Sequence, residues 1–191
     1  MNSRAGLCDE SHSVRIKRRA FLQGAAAWGV LLLSAGRPRL VRANTLYLGA
    51  AAPPATLVTL DGETISTSEL LGQVIILTFW ATWCVPCREE LPLLSSYAAE
   101  HAAAGLRVLG FSLDSAAKLR EVNRVAKSLR FPVGLLANSS AAGYGRIWRL
   151  PVNFTIDRAG RLIDDGWKDR KPSWTAERLE RIVSPLLAGS S

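Results

Sequence analysis

The sequence predicts an α/β domain: a central mixed β-sheet with helices on both faces and a β-hairpin extension at its N-terminal end. Three observations carry that expectation. Apolar, β-prone runs alternate with segments of helical spacing. One of the runs, residues 74–79 (VIILTF), is nearly unbroken, as an interior strand covered on both faces requires, and residues 106–111 read as the next strand. The last third holds two short apolar runs around Asp157-Arg158-Ala159-Gly160, a hairpin pattern, followed by an amphipathic helix.

The elements follow in order once the first 43 residues are set apart. Lys17, Arg18 and Arg19 precede an apolar stretch at 20–35, which is shorter than the ~20 residues of a membrane span. It ends at Gly36-Arg37-Pro38-Arg39, and the small residues Val41 and Ala43 suit cleavage after Ala43. The segment KRRAFLQ resembles the bacterial twin-arginine export signal, with Gln23 where Lys is usual. An ordinary secretory signal and an uncleaved N-terminal anchor are the alternatives. All three routes place the domain at 44–191 outside the cytoplasm, in the periplasm.

This division changes the charge and the cysteine count. Of 24 Lys+Arg and 16 Asp+Glu, residues 1–43 hold eight and two, so the net charge of +8 falls to +2. A basic body that would suit nucleic acid is thereby excluded. Cys8 and His12 go with the leader, leaving His101 and the pair Cys84 and Cys87. A multi-ligand zinc or di-iron centre has too few ligands.

Residues 44–56, rich in Ala and Pro, read as an extended lead-in. Residues 57–60 and 63–65 flank Asp61-Gly62 as a hairpin. After the strand at 74–79, a helix runs from about 84 to 103 with Leu91, Leu94, Tyr97 and Ala98 at helical spacing and Pro92 set to kink it. Residues 106–111 are a strand. Asp114 is placed to cap a helix from 115 to about 129, striped by Leu119, Val122, Ala126 and Leu129. A strand at 131–136, a short helix at 141–148, strands at 152–156 and 161–163, and a last helix capped by Thr175 with Pro185 near its end complete the chain.

The concentrated chemical signal is FWATWCVPC, a Cys-x-x-Cys between an interior strand and a helix start. At a first helical turn, unpaired amides and the positive end of the helix dipole favour a thiolate, so Cys84 is the candidate nucleophile. Cys87, one turn on, can attack the mixed disulfide and release the partner. A structural disulfide and a soft-metal pair remain as alternatives. A two-residue loop is a poor staple, however, and two thiolates leave zinc short of ligands.

FWATWCVPCREELP, the preceding GQVIILTF, the 105–112 strand and RLPVNFTIDRAGRLI resemble the TlpA and ResA branch of the thioredoxin superfamily, which are bacterial extracytoplasmic thiol-disulfide oxidoreductases. The resemblance implies a thioredoxin-like fold and no cofactor beyond the Cys84–Cys87 disulfide. It implies a cis Pro151 whose neighbour Leu150 helps hold an extended substrate, with Trp83 beside the exposed sulfur. Val85 and Pro86 tune the potential. Asp114 is the nearest match to an acid near the dithiol in ResA-like proteins, and proton transfer and helix capping are its two candidate roles. Arg149 departs from a family Gly, and Thr78 stands where cytoplasmic thioredoxin has a buried Asp. Trp80 is assigned to the core, Trp148, Trp167 and Trp174 to packing, and Arg88, Glu89 and Glu90 to a solvated first turn.

The implied activity is reduction of disulfides in extracytoplasmic client proteins, in cytochrome c maturation or copper-site assembly. Electrons would come from a membrane dithiol donor, and the protein would act as a monomer. A net dithiol oxidant is the close alternative, and a Cu(I)-carrying or partner-binding module the non-enzymatic one.

Overall fold

The computed structural model describes residues 46–189, so the leader expected at 1–43 and its expected cleavage after Ala43 lie outside the described residues. Strands β1 (Thr56–Val58) and β2 (Thr64–Ser66) form an antiparallel hairpin, with Leu57 opposite Ile65. Its turn needs the left-handed backbone that Gly62 supplies at φ +89°. Strand β3 (Val74–Trp80) is buried along its whole length, as its apolar run predicts. Helix α1 (Val85–His101) continues through Pro92 to strand β4 (Leu106–Ser112). Helix α2 (Leu119–Ala126), strands β5 (Val133–Leu135), β6 (Val152–Ile156) and β7 (Leu162–Asp165), and helices α3 (Ala176–Ile182) and α4 (Ser184–Ala188) complete the order.

The main sheet runs β5-β4-β3-β6-β7. Strands β3, β4 and β5 are parallel, while β6 is antiparallel to β3 and β7 to β6. Strand periodicity splits the core into two layers. Val74, Ile76 and Trp80 pack with Leu91 and Leu94 of α1, Val122 of α2, Leu179 of α3 and Leu187 of α4. Ile75, Leu77 and Phe79 pack with Leu57 of the hairpin, Tyr144 and Phe154. Strand-helix-strand crossovers are right-handed, and β3 to β4 to β5 steps one way across the sheet, so α1 and α2 fall on the same face. The other face is covered by the hairpin and by tight 3-10 turns at Leu136–Asn138 and Ala142–Tyr144. Helical segments thus cover both faces, but the α-helices share one.

Three local expectations need correction. The short helix at 141–148 shrinks to the single turn Ala142–Tyr144, because Gly145 follows at φ +84° and ends it. The last helix is two pieces that meet at Val183, and Pro185 sits in the first turn of the second piece, where a missing amide costs nothing. Asp114 caps no helix: the turn leading into α2 starts after Ser115, without a side-chain cap.

The hairpin docks on β5 through Leu60 N–H, which donates to Val133 O at 2.9 Å. Gly134 permits that approach, since a Cβ there would lie 1.9 Å from Val58 O.

Candidate active site

Strand β3 ends at Trp80, and the loop 81–83 delivers Cys84 to the N-cap of α1 in extended conformation (φ −84°, ψ 101°). Pro86 occupies the first helical turn, pre-set for the helix. Cys84 and Cys87 form a disulfide with Cα atoms 5.3 Å apart. Cys84 is 5% exposed and Cys87 0%, so of the pair only Cys84 has any exposed surface, and it lines a cleft. The Cys87 N–H points at Cys84 Sγ (3.3 Å), which places an amide donor and the helix N-terminus at the outer sulfur.

Asp114, buried after β4, braces the loop in front of the dithiol. Its carboxylate accepts from Thr82 N–H (2.8 Å), Thr82 Oγ1–H (2.7 Å) and Ser112 Oγ–H (2.9 Å). These bonds replace the capping expected of it: the carboxylate reaches back to β3's exit instead of forward to α2.

Across from Cys84 the Leu150–Pro151 peptide bond is cis, as the resemblance implies. A cleft of 550 Å³ lies between them, walled by Trp83, Val85, Ile147, Trp148 and Leu150. Trp83 is 68% exposed and lines the cleft together with Cys84. Trp80 is fully buried. Trp148, expected to be a packing residue, is 74% exposed and stacks on Trp167, with centroids 5.6 Å apart and planes within 10°.

Arg149 underlies both rings, its Cζ 5.7 Å from the Trp148 centroid and 5.8 Å from that of Trp167. Its Nη2 donates to the carbonyls of Gly166, Trp167 (3.0 Å) and Asp169 (2.7 Å). Instead of adding a mobile charge to the groove, Arg149 clasps the loop after β7 to the segment before the cis bond.

Glu90 also departs from expectation. It is 3% exposed, one turn beyond Cys87 on the inner side of α1. Its carboxylate accepts from Trp174 N–H (2.7 Å) and Asn153 Nδ2 (3.3 Å). Burial pushes its pKa up to about 7, and those two bonds and the Arg178 charge offset the rise only in part. The i, i+3 spacing from Cys87 is the signal that could have placed it on the dithiol's side of the helix. Among the described residues no group of three or more His, Cys, Asp or Glu is arranged to hold a metal ion.

The fold and the dithiol together define a thioredoxin-like protein of the thiol-disulfide exchange class. Residues 48–164 match the AhpC/TSA family, and the chain belongs to it. The thiol-disulfide oxidoreductase ResA of Oceanobacillus iheyensis is 31% identical over 150 residues, covering 75% of each chain. ResA of Bacillus thuringiensis is 28% identical over 143 residues, 74% of this chain and 79% of that one. The crystal structure of a thioredoxin-family thiol:disulfide interchange protein from Chlorobium tepidum TLS superposes with a TM-score of 0.60 at 26% identity, covering 72% of this chain and 96% of that one. The enzyme class expected from the sequence, a thiol-disulfide oxidoreductase, is the class of these relatives.

Proposed function

We propose that this protein reduces disulfides of client proteins outside the cytoplasm, with Cys84 as nucleophile and Cys87 as resolving thiol. The observation that carries the reading is a disulfide at the start of α1, open to a cleft only through Cys84 and faced by a cis Leu150–Pro151 bond. In the reduced protein the Cys84 thiolate bonds one sulfur of a client disulfide, and the other client sulfur leaves as a thiolate and takes up a proton. Cys87 then loses its proton and attacks Cys84. The client's second thiol is released, the Cys84–Cys87 disulfide closes, and two electrons have passed to the client.

Glu90, with a pKa of about 7 and one turn from Cys87, suits the role of accepting that proton. Asp114, which already accepts three hydrogen bonds, serves to position the loop. Trp83, Leu150 and Pro151 line the client's path, and Val85 and Pro86 set the stiffness and potential of the dithiol.

The twin-arginine-like leader supports a periplasmic site of action, with retention at the membrane where the leader is not cleaved. A membrane dithiol donor resets the disulfide. The clients are cysteine-bearing proteins of cytochrome c maturation or copper-site assembly.

Equilibration against glutathione and dithiothreitol buffers tests the direction of flow. A midpoint well below about −200 mV is expected, and one near about −120 mV would make the protein an oxidant. Cys87→Ser should trap clients as mixed disulfides through Cys84. Traps formed by Cys84→Ser instead would overturn the assigned order.

A further inference from the structure

The cis segment borders two depressions, of which the first opens on Cys84 and the second adjoins it at Pro86, Arg149 and Leu150. The first is the cleft described above, with the exposed Trp83, Val85 and Trp148 on its walls. The second, of 680 Å³, shares Pro86, Arg149 and Leu150 with it and is lined beyond them by Arg170, Lys171 and Arg181. We propose that these two arms read the client: its reactive cysteine is flanked on one side by an aromatic or large apolar residue and on the other by acidic residues. This rests on the exchange reading above and adds the substrate class.

The apolar arm is built to hold its shape. Trp148 leaves a large ring in water at a reactive cleft, yet the stack on Trp167 and the Arg149 guanidinium beneath fix that ring in place. A rigid aromatic wall contributes contact area at little entropic cost. An aromatic or aliphatic side chain beside the client cysteine is the chemistry it fits.

Asp169 and Glu177 also line the basic arm, but its cations outnumber them. Arg178, which also borders it, is neutralised by Asp164 and Asp169, both at 2.6 Å. Arg170 and Lys171 are exposed and make no side-chain ion pair among the described residues. Arg181 has only a 3.8 Å contact with the exposed Glu177. Residues 44–191 carry a net charge of just +2, so a general basicity does not account for three cations around one depression. Carboxylates of a client segment complement them and steer its approach.

Peptides with one cysteine held as a mixed disulfide with 5-thio-2-nitrobenzoate test this on the reduced protein. The Cys84 thiolate bonds the peptide sulfur, and the aromatic thiolate leaves with the electron pair of the broken S–S bond and is read by absorbance. Aromatic and acidic flanks are varied singly and together, in both orders around the cysteine. In one order the doubly flanked peptide should react about tenfold faster than a serine-flanked one, and the acidic share of that gain should fade with salt. Trp148→Ala should bring the aromatic preference to within about twofold. The double variant Arg170→Glu, Lys171→Glu should turn the acidic preference toward lysine-flanked peptides, whereas Lys127→Glu, an exposed cation after α2, should leave it intact.

Equal rates for all peptides keep the exchange reading and overturn this one, as does an equal loss in Lys127→Glu, which traces the effect to net charge. Inhibition by phosphatidylglycerol vesicles, without any acidic preference among peptides, gives the basic arm to a lipid surface and overturns it too. Release from no peptide at all overturns the exchange reading and the selectivity with it.

Discussion

Glu90→Gln tests the buried carboxyl of α1 through its effect on stability. In the folded protein the Glu90 pKa rises from 4.5 to about 7, chiefly because burial removes water from the charged form. Between those values the folded state binds a proton that the unfolded state has released. The stability associated with that proton is complete below pH 4.5 and is lost as pH rises through about 7. A shift of this size, at about 1.4 kcal/mol per pKa unit, corresponds to about 3 kcal/mol lost between pH 4.5 and 8. The glutamine has no proton to lose. It gives up one of the two accepted hydrogen bonds, at a cost of about 1 kcal/mol that does not vary with pH. The variant should therefore be the less stable protein at pH 4.5 and the more stable one at pH 8. Asp164, whose pKa is also raised by burial, is common to both proteins and cancels in the difference. Urea denaturation of the oxidised proteins across this range measures it. Parallel curves, with a constant gap from pH 4.5 to 8, would refute the claim that folding holds a proton on Glu90.

Gly134→Ala should lower stability by about 2–3 kcal/mol or more, because the new Cβ meets backbone at Val58 and the hairpin must lift off β5. A urea midpoint shifted by less than about 0.5 kcal/mol would show that the hairpin is not held there. Asp114→Ala strands the donors of Thr82 and Ser112 and should cost about 3 kcal/mol, of which Asp114→Asn recovers part. A protein of unchanged stability with a slowed resolving step would return Asp114 to a proton-transfer role.

Much of the fold is legible in residues 74–79, whose apolar run needs cover on both sides and receives it. The distribution of that cover is not legible, because it depends on strand order. β6 returns beside β3 instead of extending the sheet past β5, and local periodicity carries no record of that choice. The break at Val183 is hidden for a related reason. Leu179, Ile182 and Val183 continue a helical stripe, and a proline three residues after Ile182 is compatible both with an ending helix and with a new first turn. The dithiol needed no tertiary information, since its spacing and its place after an interior strand are local properties.

Glu90 and Trp148 have environments opposite to the solvated acid and packed indole expected of them, with the carboxyl inside and the indole outside. Local pattern places an acid near a helix start in water and a tryptophan in the core, so both inversions needed partners distant in sequence. The same segment supplies them. Trp174 N–H binds Glu90, and Pro172 O accepts from Asn153, which also donates to Glu90. Gly166, Trp167 and Asp169 offer the carbonyls that hold Arg149 beneath the Trp148 ring. Lys171 O and the Asp169 carboxylate fix Arg178, whose charge acts on Glu90. Residues 166–174 therefore support the aromatic wall on the solvent side of the dithiol and the buried acid on the core side. A shift of that loop would move both at once, so substitutions in it should affect the recognition of clients and the proton balance of the dithiol together.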